Sequence, residues 1–400
     1  MKILCVFGEH NYGDPVRGQG YEYSNFLPAL QHLGHELAFF DSFSRSYYKD
    51  FAALNRALLE KVDSFQPDLV FCVLMGYEVW LETLMLIRNT GARLLNWGTD
   101  DSWKYEQFSR HVSPAFDLWI TTSHRAYHQA ERDGFNNFML SQWAAPADAL
   151  TDPLKASKCR HSVSFVGSAY GNRKRWISEL EKRGIKVDCF GYGWPKGPVA
   201  SEEIPKIVRE SVVSLNFGDS GLQFRGGRLY RSRQIKARVF EVPAAGGCLL
   251  TESAEYLADY YRLGSEIEVF QDLDDLATKI QHLLTDEKYR DSMAQAGYQR
   301  TLVEHTYEKR FKEFLNKVEV REQKLSVDFK MFESIAAKHE THWFEQMVHK
   351  LLVRPFEWIW GKTRGPRAAR RFIFELCWRL CGRQTYTVSG LPGRWFYRES

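Results

Sequence analysis

The stretch Lys236-Ala237-Arg238-Val239-Phe240-Glu241-Val242-Pro243-Ala244-Ala245-Gly246-Gly247-Cys248-Leu249-Leu250-Thr251 decides the fold class. Its pattern predicts a helix over residues 234–245 and a buried strand over residues 248–251, joined by small residues that let the two pack closely. A helix followed by a short apolar strand is the repeating unit of parallel α/β sheets. A carboxylate on an apolar helix is costly to bury unless it is paired or binds a ligand, so Glu241 is either a surface side chain or a binding residue.

The same alternation extends in both directions along the chain. It predicts strands at residues 3–7, 36–40, 68–74, 93–97, 118–122 and 138–143, and again at residues 162–166, 186–190, 212–217, 248–251 and 268–270. A polar stretch with two prolines separates the two series. We therefore predict an α/β protein with two Rossmann-like domains, residues 1–150 and 151–320, which face a central cleft. Ligands are expected at the carboxyl ends of the strands.

Composition narrows the class of protein. With 44% hydrophobic and 26% charged residues among 400, the chain is folded, and a net charge of +4 does not indicate nucleic-acid binding. The seven cysteines are scattered, mostly in apolar runs, which indicates a reducing compartment. No apolar run approaches the ~18 residues of a spanning helix, and no signal peptide is evident. We expect a cytoplasmic protein. No metal-ligand spacing is visible, so we expect no resident metal ion or cofactor.

Three strand ends of the second half carry candidate binding residues. The loop after residue 166 contains Gly167 and Ser168, followed by Arg173 and Lys174 at the start of a helix. Small residues there let backbone N–H groups approach a phosphate, which the two cations would neutralise; an ordinary connecting loop is the alternative.

The next two strand ends are also distinctive. Tyr192 and Gly193 follow the second strand, where the ring is suited to lie beside a planar base, although a plain turn fits the pattern nearly as well. Asn216 ends the third strand with a polar side chain. Arg238, one helical turn before Glu241, either compensates that carboxylate or contacts phosphate.

In the first half, Asp100 and Asp101 follow a predicted strand and lie at its carboxyl end. Asp100 is suited to orient or deprotonate an acceptor hydroxyl; alternatively, one or both aspartates cap the next helix. We interpret His124 as a helix-start residue. The glycine-rich first loop, residues 8–20, either approaches a phosphate or acceptor with its backbone or forms a flexible lid.

The second half resembles the group-1 glycosyltransferases with a GT-B fold, most closely the spore-maturation-protein-B-like branch. The motifs that carry the resemblance are Ser164-Phe165-Val166-Gly167-Ser168 with Arg173, Phe190-Gly191-Tyr192-Gly193-Trp194, Arg238-Val239-Phe240-Glu241 with Ala245-Gly246-Gly247, residues 289–297, and His305-Thr306-Tyr307. The resemblance spans roughly residues 1–315 and is strong only in the second half. It implies a nucleotide-sugar donor with Glu241 on the ribose and Arg173 or Lys174 near the diphosphate, and no requirement for a divalent ion.

The sequence departs from that family at one position. Group-1 enzymes usually carry an acidic residue eight positions before the ribose glutamate, and here that position is Arg233, within the basic stretch from Arg225 to Arg238. The family pattern therefore specifies neither the donor sugar nor a retaining outcome. The basic stretch either clamps pyrophosphate, binds an anionic acceptor, or is a solvated loop.

Residues 321–400 form a third predicted region, a basic and aromatic helical extension. Residues 341–400 contain 11 Lys/Arg and 4 Asp/Glu, a net charge of +7, together with five tryptophans. Residues 342–360 and 367–383 each have an amphipathic helical pattern. Such helices suit an anionic membrane surface, while packing on the enzyme body or on a second subunit is the alternative.

The resemblance and the residues together predict a metal-independent hexosyltransferase. It would transfer a sugar from a nucleoside-diphosphate donor to a hydroxyl acceptor in a bacterial surface glycan or glycolipid, with Asp100 and Arg238 as catalytic residues. A peripheral position on the inner face of the membrane would follow from the basic extension. The alternatives are a nucleotide-sugar epimerase and a degenerate transferase that acts as a membrane-associated scaffold.

Overall fold

The computed structural model describes residues 1–225, 228–321 and 323–400. The chain forms two compact units: unit 1 comprises Met1–Gln142 and Glu313–Ser400, and unit 2 comprises Trp143–Lys312. Unit 2 thus begins at Trp143, eight residues before the predicted start of the second domain at residue 151. The reason is that Ala145 exchanges backbone hydrogen bonds with the segment at the end of unit 2, donating to the His305 carbonyl and accepting from the Tyr307 N–H at 3.0 Å each.

Unit 1 contains a six-stranded sheet in the order β2-β1-β3-β4-β5-β6, in which every neighbouring pair is parallel. Its strands are β1 (Lys2–Phe7), β2 (Glu36–Asp41), β3 (Leu69–Cys72), β4 (Arg93–Gly98), β5 (Leu118–Thr121) and β6 (Phe138–Leu140). Its first helices are α1 (Tyr21–His32), α2 (Phe51–Phe65), α3 (Leu81–Asn89), α4 (Asp101–Lys104), α5 (Arg110–Val112) and α6 (His124–Arg132). Fully buried aromatic side chains, among them Trp80 and Trp119, fill the space between the helices and the sheet.

Unit 2 contains a five-stranded parallel sheet in the order β13-β12-β9-β7-β8 and a separate antiparallel pair, β10-β11. Its strands are β7 (His161–Val166), β8 (Asp188–Phe190), β9 (Ser211–Asn216), β10 (Asp219–Arg225), β11 (Arg228–Arg233), β12 (Leu249–Glu252) and β13 (Glu268–Phe270). Its helices are α7 (Arg173–Lys182), α8 (Ile204–Arg209), α9 (Arg238–Ala244), α10 (Leu273–Thr285) and α11 (Glu287–Glu304), and α12 (Tyr307–Leu315) leads back to unit 1.

The predicted start of the helix that follows the basic stretch was wrong. The helix begins at Arg238 rather than at residue 234, because β11 continues to Arg233 and pairs with β10. Gln234 then bonds back to Gly218 through its N–H at 2.9 Å, which closes the hairpin at its base. The side chains of residues 219–232, which include three of the arginines in that stretch, lie outside the described part of the structure.

The last residues of the chain belong to unit 1. They form α13 (Phe329–Ala336), α14 (Trp343–Cys381) and α15 (Leu391–Trp395). Backbone dihedrals of φ 77° and ψ 167° at Gly361 break α14 into two arms, and Phe356 of one arm contacts Phe372 of the other, with ring centroids 5.6 Å apart. Beyond α14, the fully buried Tyr386 packs against Phe108 of the unit 1 core. Part of the predicted extension is therefore integral to unit 1.

No helix in the described ranges of the chain combines the length and apolarity that crossing a bilayer requires.

Candidate functional site

In unit 2, the loop that follows β7 is organised by Arg173, the first residue of α7. The Arg173 side chain is almost completely buried and donates to the Ser168 carbonyl (2.8 Å), the Tyr170 hydroxyl (3.0 Å) and the Phe217 carbonyl (3.3 Å). It therefore joins the loop after β7 to the loop after β9. These two strands flank the point where the strand order reverses, which is where open parallel sheets bind ligands.

The loop after β8 packs directly on the loop after β7. The indole N–H of Trp194 donates to the Gly167 carbonyl (2.7 Å), and the Ala169 N–H donates to the Tyr192 carbonyl (2.8 Å). Gly191 has φ 127°, and a Cβ atom there would lie 2.6 Å from the Gly167 oxygen, so only glycine fits. At Gly193, which has φ 85°, a Cβ atom would lie 3.1 Å from the Cβ atom of Ala169. The Tyr192 side chain is 58% exposed above this junction.

Arg238, the first residue of α9, lies beside the β7 loop. One of its guanidinium nitrogens is 3.2 Å from the point where a Cβ atom on Gly167 would lie. Its guanidinium carbon is 6.0 Å from the centre of the Phe165 ring. Within the described ranges Arg238 forms no ion pair. The half-buried Glu241 is in the first turn of the same helix, three residues later, so the two side chains are neighbours on the helix surface.

The remaining predicted residues of unit 2 differ in accessibility. Lys174 is exposed at the start of α7, directly after the buried Arg173. Asn216 is fully buried at the end of β9, where its amide donates to the Thr251 hydroxyl at 2.9 Å. The structure therefore gathers Gly167, Ser168, Gly193 and Arg238 around one loop junction, whereas the Asn216 side chain is bonded to the neighbouring strand β12.

Glu252 is a site residue that the sequence analysis missed. This carboxylate, 2% exposed at the end of β12, accepts the Gly218 N–H (3.0 Å) and pairs with the Arg233 guanidinium (3.0 Å). Arg233 also donates to the Gln271 carbonyl at 3.0 Å. Arg233 occupies the position where group-1 enzymes usually carry an acidic residue. Here it forms an ion pair with a carboxylate from the next strand, β12. The sequence feature that could have identified Glu252 is a glutamate directly after a predicted apolar strand.

In unit 1, Asp100 and Asp101 have different surroundings at the end of β4. Asp100 is half-buried and lies 3.7 Å from the Lys104 ammonium. Asp101 is buried and accepts the Ser109 hydroxyl (2.6 Å) and the Trp119 indole N–H (2.9 Å); burial raises the pKa of its carboxyl. Neither side chain caps the helix by accepting one of its N–H groups, since the Asp101 carboxylate is committed to Ser109 and Trp119 and the Asp100 side chain makes no cap bond. Asp100 alone remains accessible for chemistry.

Glu22, in the first turn of α1, is a second carboxyl group that the sequence analysis missed. Burial raises its pKa, and the negative charge of Asp100 raises it further. Its electrostatic interaction with Asp100 places α1 and the end of β4 at the same edge of the unit 1 sheet. The sequence feature that could have identified Glu22 is an acidic residue close behind the glycine-rich first loop.

Known proteins resemble this chain in fold and, over residues 173–316, in sequence. The family model described as glycosyl transferase-like matches residues 173–316. Sucrose-phosphate synthase from Thermosynechococcus elongatus is 11% identical with a TM-score of 0.56, and the match covers 79% of this chain and 98% of that chain. A glycosyltransferase from Rickettsia africae is 11% identical with a TM-score of 0.53, over 79% and 97% of the two chains.

Anabaena HepE, solved in complex with UDP-glucose, is 12% identical with a TM-score of 0.53, over 79% of this chain and 100% of that chain. No curated protein matches the chain. Together with the two parallel sheets, these similarities confirm the predicted α/β GT-B fold. The spore-maturation-protein-B-like branch stays a prediction.

Proposed function

We propose that this protein is a glycosyltransferase that moves a hexosyl group from a nucleoside-diphosphate sugar to a hydroxyl acceptor in a glycan or glycolipid. One observation carries the proposal: Arg238 lies beside the tightly packed glycine loop after β7, one helical turn from Glu241. The glycosyl transferase-like family match covers both residues and supports it.

In this proposal the donor binds at the edge of the unit 2 sheet. The backbone N–H group of Ser168, together with the cations of Arg238 and Lys174, binds the diphosphate. The Gly167 N–H, which the sequence also suggested for this role, already donates to the Phe190 carbonyl at 2.8 Å. Glu241 accepts hydrogen bonds from the two ribose hydroxyls, and the exposed Tyr192 ring lies beside the base. Arg173 is a positioning residue, because its three hydrogen bonds keep the β7 and β9 loops in place.

In the proposed reaction the protein contributes little covalent chemistry of its own. The bond between the anomeric carbon and the diphosphate oxygen breaks, the acceptor oxygen forms a new bond to that carbon, and the acceptor proton is lost. Arg238 stabilises the negative charge that develops on the departing diphosphate. In unit 1, Asp100 orients the acceptor hydroxyl and takes its proton, a role for which its accessibility suits it better than Asp101.

Nucleotide affinity tests the donor site. We expect Glu241→Ala to weaken UDP or GDP binding about 10- to 100-fold, the loss of two hydrogen bonds to a charged group. Glu287→Ala is the matched control, since Glu287 is also in the first turn of a unit 2 helix but is exposed. Unchanged affinity in Glu241→Ala, or an equal loss in the control, contradicts the assignment.

Turnover separates the proposed reaction from its alternatives. A transferase consumes the donor at a substantial rate only when an acceptor is present, an epimerase interconverts the donor without one, and a scaffold does neither. A panel of nucleotide sugars is incubated with and without a glycolipid extract. Release of nucleoside diphosphate identifies the transferase, and chromatography of the remaining nucleotide sugar distinguishes an epimerase, which changes it, from a scaffold, which does not.

We further propose that α14 binds an anionic membrane surface, which would bring the enzyme to a glycolipid acceptor. Many of its large apolar side chains are exposed, most of all Trp358 at 89%: Trp343, Phe344, Met347, Leu351, Trp358, Ile359, Trp360, Phe372, Leu376 and Leu380. Exposed basic side chains accompany them: Lys350, Arg354, Lys362, Arg364, Arg367 and Arg371. Exposed tryptophans among cations suit the interface between water and anionic lipid.

Vesicle sedimentation tests the membrane proposal. We expect the full chain to sediment with vesicles that contain phosphatidylglycerol, and Trp358→Ala/Trp360→Ala to bind them at least ~10-fold more weakly. Trp103→Ala is the control, because Trp103 is an exposed tryptophan outside α14. Equal binding by the double variant, or equal binding to pure phosphatidylcholine, contradicts the proposal.

A further inference from the structure

Three potential metal ligands meet at the carboxyl edge of the unit 1 sheet, apart from the residues assigned above. Glu9 and His10 follow β1 directly, and Asp41 is the last residue of β2. One ligand atom from each lies within 4.8 Å of the other two. The strands fix this arrangement, because β1 and β2 are parallel and Phe7 is in register with Asp41.

Close packing of the two loops brings these side chains together. A Cβ atom on Gly8 would lie 2.4 Å from Cδ2 of Phe43, so the absence of a side chain at residue 8 lets the β1 loop lie against the β2 loop. The Gly20 N–H donates to the Glu9 carbonyl at 2.7 Å, and His10 forms a backbone bridge with Gln19. The backbone that carries Glu9 and His10 is thus anchored on both sides.

Asp41 supplies the observation that points to a bound cation. Its side chain is only 8% exposed, and its Oδ1 accepts the N–H groups of Phe43 (2.8 Å) and Ser44 (3.2 Å). Its Oδ2 is buried and has no hydrogen-bond partner in the described ranges of the chain. A buried carboxylate oxygen without a partner is costly unless a cation or donor satisfies it.

Arg45 is the nearby cation of the protein itself, but it does not satisfy this oxygen. Its positive charge interacts with Asp41 through space, whereas its guanidinium donates to the Ser42 carbonyl (2.7 Å) and lies over the Phe51 ring at 4.9 Å. The arginine therefore reduces the net charge near Asp41 and leaves its Oδ2 without a hydrogen-bond donor among the described residues.

We propose that Glu9, His10 and Asp41 bind a divalent cation of the Mn²⁺ or Zn²⁺ class. One imidazole nitrogen with two carboxylate oxygens suits these borderline ions better than Ca²⁺, which prefers six or more oxygen ligands. Three protein ligands leave coordination positions open for water or for an oxygen of a bound molecule. The proposal concerns unit 1 only and is independent of the donor site in unit 2, and it differs from the sequence-based expectation of no metal.

Metal titration of the full chain after treatment with EDTA tests this site. We expect calorimetry with MnCl₂ or ZnCl₂ to show one bound ion, and His10→Gln and Asp41→Asn each to lower the affinity at least ~10-fold. His35→Gln and Glu36→Gln are the matched controls, because both residues lie at the opposite, amino end of β2. Neither control should change the affinity.

His10→Gln is the decisive variant, because Asp41→Asn also removes an acceptor of two backbone hydrogen bonds and so risks unfolding the loop. Circular dichroism identifies that failure. Zn²⁺ binding that persists in His10→Gln but disappears in Cys381→Ser, the exposed thiol, overturns the proposal. So does the absence of one-to-one binding of either ion. UDP affinity remains unchanged in all these variants if the two sites are separate.

Discussion

The two sheets share a strand order but differ in charge at their carboxyl edges. In each unit the second strand lies on one side of the first and the third on the other, so the same loops meet at the same place. In unit 2 those loops contain glycines and arginines, with Arg173 buried beneath them and Arg238 beside them. In unit 1 carboxylates lie at the carboxyl ends of β1, β2 and β4, at Glu9, Asp41 and Asp100.

This difference shows which part of the sequence sets the ligand class. The strand order determines where a ligand binds, and the residues immediately after each strand determine what charge it meets. The carboxylate of Glu252 in unit 2 is consistent with this rule, because Arg233 neutralises it. An anionic diphosphate therefore suits unit 2, and a hydroxyl or a cation suits unit 1.

The largest predicted effect comes from the acidic edge of unit 1. Asp100→Asn removes the proposed proton acceptor without changing the shape of the side chain. We expect sugar transfer to fall about 10²- to 10⁴-fold, the usual contribution of a general base, while UDP affinity is unchanged. The measurement is kcat/KM with a turned-over nucleotide sugar beside calorimetry with UDP.

Glu36→Gln is the control for that experiment, since Glu36 lies at the amino end of the same sheet and is exposed. If Asp100→Asn weakened UDP binding as strongly as transfer, the acidic edge would belong to the donor site. The division of roles between the two units would then be wrong.

A second prediction concerns a buried histidine of unit 2 and two buried carboxyl groups of unit 1, whose contributions to stability respond to pH in opposite directions. Burial lowers the pKa of His305 in unit 2 from 6.5 to about 4, and the neighbouring Arg310 guanidinium, 3.0 Å from Nδ1, acts in the same direction. Its other nitrogen lies 2.7 Å from the Tyr260 carbonyl, to which it donates when neutral. Between these two pKa values the unfolded chain binds a proton that the folded chain does not, so stability decreases as the pH falls.

From pH 7 to pH 4.5 we expect His305 to account for about 2 kcal/mol of lost unfolding free energy. Urea denaturation of the wild type and of His305→Gln measures it, because the variant lacks this contribution to the slope. In unit 1, burial raises the pKa of Glu22 and Asp101, so these groups lower stability as the pH rises instead. A variant with the same pH slope as the wild type would show that folding does not lower the pKa of His305.

Much of the fold was predictable from the sequence because buried parallel strands are continuous apolar runs. All eleven strands of the two parallel sheets lie within or next to a predicted strand, and α6 begins at His124 as expected. The β10-β11 hairpin was not predictable, because its arginine-rich strand lacks the alternation of apolar and polar residues that marks a half-buried strand.

The candidate site was predictable only where a motif lies on one loop or one helix. The Gly167 loop and the pair Arg238 and Glu241 each depend on local spacing. Arg233 and Glu252, which form an ion pair, are 19 positions apart, and Asp41 is 31 positions from His10 in the cluster that they form with Glu9. Strand pairing brings them together, and this pairing cannot be predicted from the spacing of residues along one strand or loop.

The smallest predicted effect tests whether the basic edge of unit 2 acts through contact or through overall charge. Lys174 is exposed, so water and salt screen its attraction for a diphosphate, and we expect Lys174→Ala to weaken UDP binding only about 2- to 5-fold. The loss should shrink further in high salt. Arg175→Ala is the matched control, because Arg175 is the next residue and is equally exposed. If both variants lost the same affinity, the diphosphate would respond to the general positive field of α7, and only Arg238 and the backbone of the β7 loop would remain as direct contacts.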